Sequence, residues 1–130
     1  MAQSTRRVEL IYSDLTYKII GVLFDVYNTL GYGQSERTYQ KAIAKALRSC
    51  GLSFQEQVYS PLLYKNVMVG QNYFDFLIEK KVVLELKKGN RFAKSHIDQL
   101  YRYLTGAKLQ LGLLAYFAPN KLHFKRIVNL

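Results

Sequence analysis

The chain has 130 residues and a formal net charge of +10, from 19 Lys or Arg against 9 Asp or Glu. At 49% hydrophobic it has a globular composition, which excludes a disordered tail and suits one compact domain rather than two. A single cysteine, Cys50, excludes an internal disulfide framework and a four-thiolate zinc site, and a reducing, cytoplasmic setting is expected.

The longest apolar run near the N-terminus, Ile19 to Phe24, meets Asp25 and Asn28 at once, far short of the ~20 residues of a membrane helix. The opening Met-Ala-Gln-Ser-Thr-Arg-Arg lacks the apolar core of a signal peptide, so no membrane partner is expected. The positive charge favours an anionic partner such as nucleic acid.

Residues 1–13 are expected to form a basic arm and residues 14–130 a single domain. Leu15, Ile19, Val22, Val26 and Leu30, with Leu23 beside them, predict a helix from Asp14 to Leu30. Asp14 or Thr16 would cap its start, and Gly31 and Gly33 would end it. A second helix is predicted from about Gln34 to Ser49, with Tyr39, Ile43, Ala46, Leu47 and Cys50 as its apolar stripe and Gly51 as its stop. The period then changes. Phe54–Tyr59, Leu62–Met68, Tyr73–Glu79 and Val82–Lys87 read as strands, with Gly70-Gln71-Asn72 as a turn between the second and third. Lys94 to Thr105 is helical again, with Ile97, Leu100, Tyr101 and Leu104 on one face and Gly106 closing it. Leu111–Phe117 has the continuous apolar character of a strand buried on both faces, and Lys121–Val128 is a last strand. The order α-α-β-β-β-β-α-β-β predicts an α/β fold, a mixed sheet with helices packed against it.

The residues able to carry chemistry are carboxylates in apolar strands. Glu85 stands among Val82, Val83, Leu84 and Leu86, with Lys87 on the same strand face two residues on. A charge buried without a partner costs several kcal/mol, so such a group pairs with a cation or binds metal. Asp75 sits between Phe74 and Phe76 in the preceding strand. Two carboxylates on adjacent strands repel unless a divalent cation holds them, and Mg²⁺ takes a few carboxylates together with waters and phosphate oxygens. Glu36 lies early in the second helix, where a negative charge also suits the helix dipole. Gln99 and Tyr103 are an i, i+4 pair on the third helix, with His96 nearby.

In chain order these are Gly33-x-x-Glu36-x-x-Tyr39, Asp75, Glu85-x-Lys87 and Gln99-x-x-x-Tyr103. The series resembles the GxxExxY family of the PD-(D/E)XK nuclease superfamily, over about residues 14 to 130. Phe74 stands where the superfamily's name has proline. The resemblance implies a restriction-endonuclease-like core, a central mixed β-sheet flanked by α-helices, and metal-dependent cleavage of phosphodiester bonds, with DNA as the expected substrate. It implies catalytic roles for Glu36, Asp75, Glu85, Lys87 and Gln99. Mg or Mn would be held by Asp75, Glu85, the backbone carbonyl of Leu86 and Glu36, and Lys87 would orient the attacking water. Lys80, Lys81, Lys88, Arg91 and Lys94 lie near the acids in sequence and, with Tyr103, are expected to meet the nucleic acid. The rivals are a non-catalytic binding module and a partner-dependent subunit of the same fold, in a homodimer or a larger complex.

Strand parity sets a geometric condition. Facing residues of an antiparallel pair share a face, and a one-residue slip reverses every side chain. Asp75 and Glu85 face each other only if the connection has an odd number of residues or the strands bulge. A three-residue turn, Glu79-Lys80-Lys81, is predicted, with positive φ at Lys80 or Lys81.

Overall fold

The computed structural model describes residues 11–89 and 92–130. The expected basic arm lies almost entirely outside the described residues. The elements are α1 (Ser13–Leu30), α2 (Glu36–Ser49), β1 (Phe54–Tyr64), β2 (Val67–Ile78), β3 (Val82–Lys88), α3 (Lys94–Ala107), β4 (Leu111–Phe117) and β5 (Leu122–Val128). The strands form one mixed sheet in the order β1-β2-β3-β4-β5. Every neighbouring pair is antiparallel except β3 and β4, which α3 joins as a parallel crossover. This is the α/β, restriction-endonuclease-like arrangement expected from the sequence.

The sheet separates two apolar layers. On one face α1 and α2 bury Ile19, Leu23, Ile43 and Leu47 against Phe76, Leu84, Leu113 and Ala115. On the other, α3 buries Leu100 and Leu104 against Val83, Leu114 and Ile127. Each fully buried Leu or Ile contributes roughly 1.5–3 kcal/mol. β4 is buried along its whole length, as its unbroken apolar run requires. Gly112 lets α3 approach it: a Cβ there would lie 2.8 Å from Leu100 Cδ2.

Several elements differ from the sequence reading. Three strands, not four, precede α3. The predicted turn at Gly70-Gln71-Asn72 lies inside β2, and the chain reverses at Lys65-Asn66, both with positive φ. The reversal follows the two-residue hairpin geometry, whose left-handed pair matches the strand twist. α1 starts on Tyr12 in the left-handed region without a side-chain cap, while the hydroxyl of Thr16 donates to the Tyr12 carbonyl at 2.8 Å. α2 begins at Glu36 rather than Gln34, capped by Ser35, whose hydroxyl accepts the Thr38 N–H. Cys50 and Tyr101 are exposed rather than buried. α3 runs through Gly106 and closes on Lys108 at φ 58.

Candidate active site

The β2–β3 ladder consists of Ile78–Val82, Leu77–Val83 and Phe76–Leu84. The connection is therefore the three-residue turn Glu79-Lys80-Lys81, and Lys80 has positive φ as the parity argument demands. Glu79 does as well, at φ 54. Its backbone N–H donates to the Ser53 carbonyl, and its carboxylate accepts both the N–H and the hydroxyl of Ser53 at 2.6 Å. Those bonds offset the strain of two left-handed residues.

Continuing the register places Asp75 opposite Glu85, and there the strands part. The Asp75 N–H donates to Glu85 Oε1 at 3.1 Å, and the Leu86 N–H donates to Asp75 Oδ2 at 2.7 Å. Side-chain oxygens thus take backbone donors that a ladder would otherwise hold. Across Asp75 the strand turns about its own axis. Phe76 packs in the α1–α2 layer, whereas Phe74, of the same parity, packs in the α3 layer against Tyr103, with ring centroids 5.0 Å apart. β1 makes the same change at Gln57, whose φ is 52, between Phe54 in the first layer and Val58 in the second.

Asp75 and Glu85 are 7% and 9% exposed. Burial, reinforced by the hydrogen bond to Asp75 and by that residue's charge, pushes the Glu85 carboxyl up to about 9. Lys87 Nζ lies 3.8 Å from Glu85 Oε2 and opposes this. Gln40 of α2 donates from Nε2 to Asp75 Oδ1. Sequence reading missed it. The only signal was its place one helical turn after Glu36, on the same helix face.

Other expected residues fall at graded distances from the pair. Glu36 is exposed in the first turn of α2, and no group of three His, Cys, Asp or Glu able to hold a metal occurs among the described residues. Gln40, one helical turn after Glu36, takes the place beside Asp75. Glu36 does act on the same side of the molecule, since its charge and that of Lys87 both bear on His96. His96 Nδ1 is 2.7 Å from the hydroxyl of Tyr116, which faces Lys87 in the β3–β4 register. Its ring is held below the ordinary histidine range, first by burial and then by Lys87. Tyr39 closes the α1–α2 loop: its hydroxyl donates to the Gly31 carbonyl, and its ring packs 4.2 Å from that of Phe117.

Gln99 and Tyr103 border a groove of about 760 Å³ between α3 and the β1–β2 hairpin, and neither acid lines it. Lys88 lies over the ring of Tyr32, beside the α1–α2 loop, at 5.7 Å. Lys80 and Lys81 sit at the turn, four to five residues and so roughly 13–17 Å along the strands from the acids, and Lys81 lies over Tyr12. Lys94 pairs with Asp98 on the exposed side of α3. Arg91 lies outside the described residues.

The donor set is entirely oxygen, with two buried carboxylates and a lysine beside them. Such a set suits a hard divalent cation that keeps part of its water shell. Glu85 stands midway along β3, opposite Leu114 of β4 in the one parallel pair, and Lys87 follows near the carboxyl end of the strand.

Comparison with curated proteins finds no match. Among solved structures, the crystal structure of SSO0001 is similar, with a TM-score of 0.50 and 18% sequence identity. The likeness covers 95% of this chain but 61% of that one, and it concerns the fold alone. A family model of the PD-(D/E)XK nuclease superfamily matches residues 13–127. That match runs from the first residue of α1 to the penultimate residue of β5, and the chain belongs to the PD-(D/E)XK nuclease superfamily.

Proposed function

We propose that the chain is a divalent-metal-dependent nuclease of the GxxExxY type, hydrolysing phosphodiester bonds in DNA. The observation that carries this reading is the buried Asp75–Glu85 pair at the parting of β2 and β3, with Lys87 3.8 Å from Glu85. A pure binding module has no need of a buried acid pair, whose mutual repulsion lowers stability.

Bound Mg²⁺ or Mn²⁺ supplies charge neutralisation at the phosphate and lowers the pKa of water. Asp75 and Glu85 would hold the ion, with the Leu86 carbonyl as a third donor, and Gln40 fixes the orientation of Asp75. Lys87 holds the attacking water and stabilises negative charge developing on the phosphate. Glu36, one turn before Gln40, supplies a further carboxylate at the helix start. Gln99 and Tyr103 position the strand from α3, and Lys88, Arg91 and Lys94 meet its phosphates. Lys80 and Lys81, farther off, meet the backbone of a longer substrate.

The test is incubation with supercoiled, linear and single-stranded DNA and with RNA, with and without Mg²⁺ or Mn²⁺. Metal-dependent cleavage of DNA that Lys87→Ala abolishes is expected. Salt-sensitive binding without cleavage under either metal would reduce the chain to a binding module. Cleavage confined to RNA would correct the substrate.

A further inference from the structure

The β1–β2 hairpin continues past the helices that cover the rest of the sheet. Every residue from Pro61 to Val69 is exposed, and six of these nine are apolar side chains: Leu62, Leu63, Tyr64, Val67, Met68 and Val69, each 41–61% exposed. Consecutive residues of a strand point to opposite faces, so the tip exposes apolar side chains on both, and at Leu62 and Leu63 it borders the groove beside α3. A lone two-stranded ribbon is marginally stable in water. A contiguous apolar patch of this kind marks an interaction surface.

We infer that this tip is a homodimer interface, with the hairpin of one copy packed on the hairpin of a second around a two-fold axis. Charge selects that occupant. From Val58 to Phe74 the sequence carries one ionisable cation, Lys65, and no acid, in a chain of net charge +10. A polyanion would find almost nothing there to neutralise. Two strongly basic copies, in contrast, meet favourably only through an uncharged surface. Leu63 and Met68 face each other across the ribbon and so share one of its faces, which a two-fold axis sets against the same pair of the second copy.

The strand edge explains why the contact closes at two copies. Among the described residues β1 pairs only with β2, and its outer edge is bare of them. Pro61 lacks an N–H, Gln57 has positive φ, and the register slips between Leu62 and Leu63, leaving Val69 without a partner. Prolines and bulges of this kind block continuous edge pairing. Side-chain packing between faces is left, and a self-complementary patch gives an isologous, closed dimer.

The inference is independent of the cleavage reading. Its test is sedimentation of the full chain without metal or nucleic acid, at low and high salt. A species of twice 15.1 kDa, undiminished or strengthened as salt screens the like charges, is expected. The double variant Leu63→Asp, Met68→Asp should sediment as a monomer and keep the wild-type circular dichroism spectrum, since both positions are exposed. Glu85→Gln should remain a dimer whether or not it cleaves. A wild-type monomer at every concentration, a dimer that dissociates as salt rises, or a dimer that survives the double substitution would each overturn the inference.

Discussion

Glu85 and Asp75 are held together by backbone N–H groups and pushed apart by their charge. Burial and Asp75 raise the Glu85 carboxyl from 4.5 to about 9. Between those values the folded chain keeps a proton that the unfolded chain releases, so this pair's contribution to stability falls as pH rises. Metal-free wild-type protein should therefore lose more thermal stability between pH 6 and pH 8.5 than Glu85→Gln does, read by melting curves of both. Stabilisation by Mg²⁺ should be larger at the higher pH, where less proton must be displaced. Equal pH slopes for the two proteins would remove the shared proton from the account. Lys87 acts differently, because its side chain is 30% exposed and lies beside the acids rather than between them. Lys87→Ala should lose cleavage about 100-fold or more while keeping most metal-induced stabilisation, and Glu85→Ala should lose both. Asp75, Glu85 and Lys87 were legible in the sequence because charges in an apolar strand demand an explanation. Gln40 was not: an amide on a helix flank is unremarkable until the fold carries it to Asp75.

At the scale of elements, the turn between β2 and β3 was derivable and the turn between β1 and β2 was not. The first followed from chemistry: if Asp75 faces Glu85, the connection has three residues and one must be left-handed. Lys80 at φ 56 meets that condition. The second was misread because Gly70-Gln71-Asn72 has turn composition, while Lys65-Asn66 carries only one residue favoured in the left-handed region. Inside β2, Gly70 instead faces Leu62, whose side chain would lie 3.6 Å from an added Cβ. The helical periods located all three helices, but not the parting of β2 from β3, since alternation along one strand carries no information about where its neighbour leaves. The packing of α3 gives a sharp test. Gly112→Ala would drive a methyl to 2.8 Å from Leu100 Cδ2, and overpacking of this kind costs typically ~1–3 kcal/mol. Urea denaturation should show that loss, and Leu100→Ala combined with Gly112→Ala should cost less than the sum of the two single changes. Strict additivity would mean that α3 does not rest on Gly112.

Over the whole molecule, charge and apolar surface are segregated, and the two surfaces should answer salt in opposite ways. The hairpin tip carries only Lys65, while the rest of the net charge of +10 lies on the remainder of the chain. Each phosphate neutralised on DNA releases condensed counterions, so the logarithm of affinity falls with the logarithm of salt by roughly 0.9 per contact. Among the described residues no base-reading element is evident, so binding should show little sequence preference. The fold also divides the cations into two groups that the sequence placed together. Lys88 lies by Tyr32, just beyond Lys87 on β3, whereas Lys81 lies over Tyr12 at the opposite end of the β2–β3 hairpin. On a short oligonucleotide that occupies only the acid end, Lys88→Ala should reduce the salt slope by about one contact's worth and slow cleavage. Lys81→Ala should change neither. On a duplex long enough to reach the turn, both substitutions should reduce the slope. Measuring binding by anisotropy over a salt series, with Glu85→Gln as the background so that the substrate stays intact, separates these cases. Equal effects of the two lysines on the short substrate would mean that the nucleic acid lies along the strands rather than across their carboxyl ends. A salt-insensitive affinity would mean that phosphate contacts do not drive binding at all.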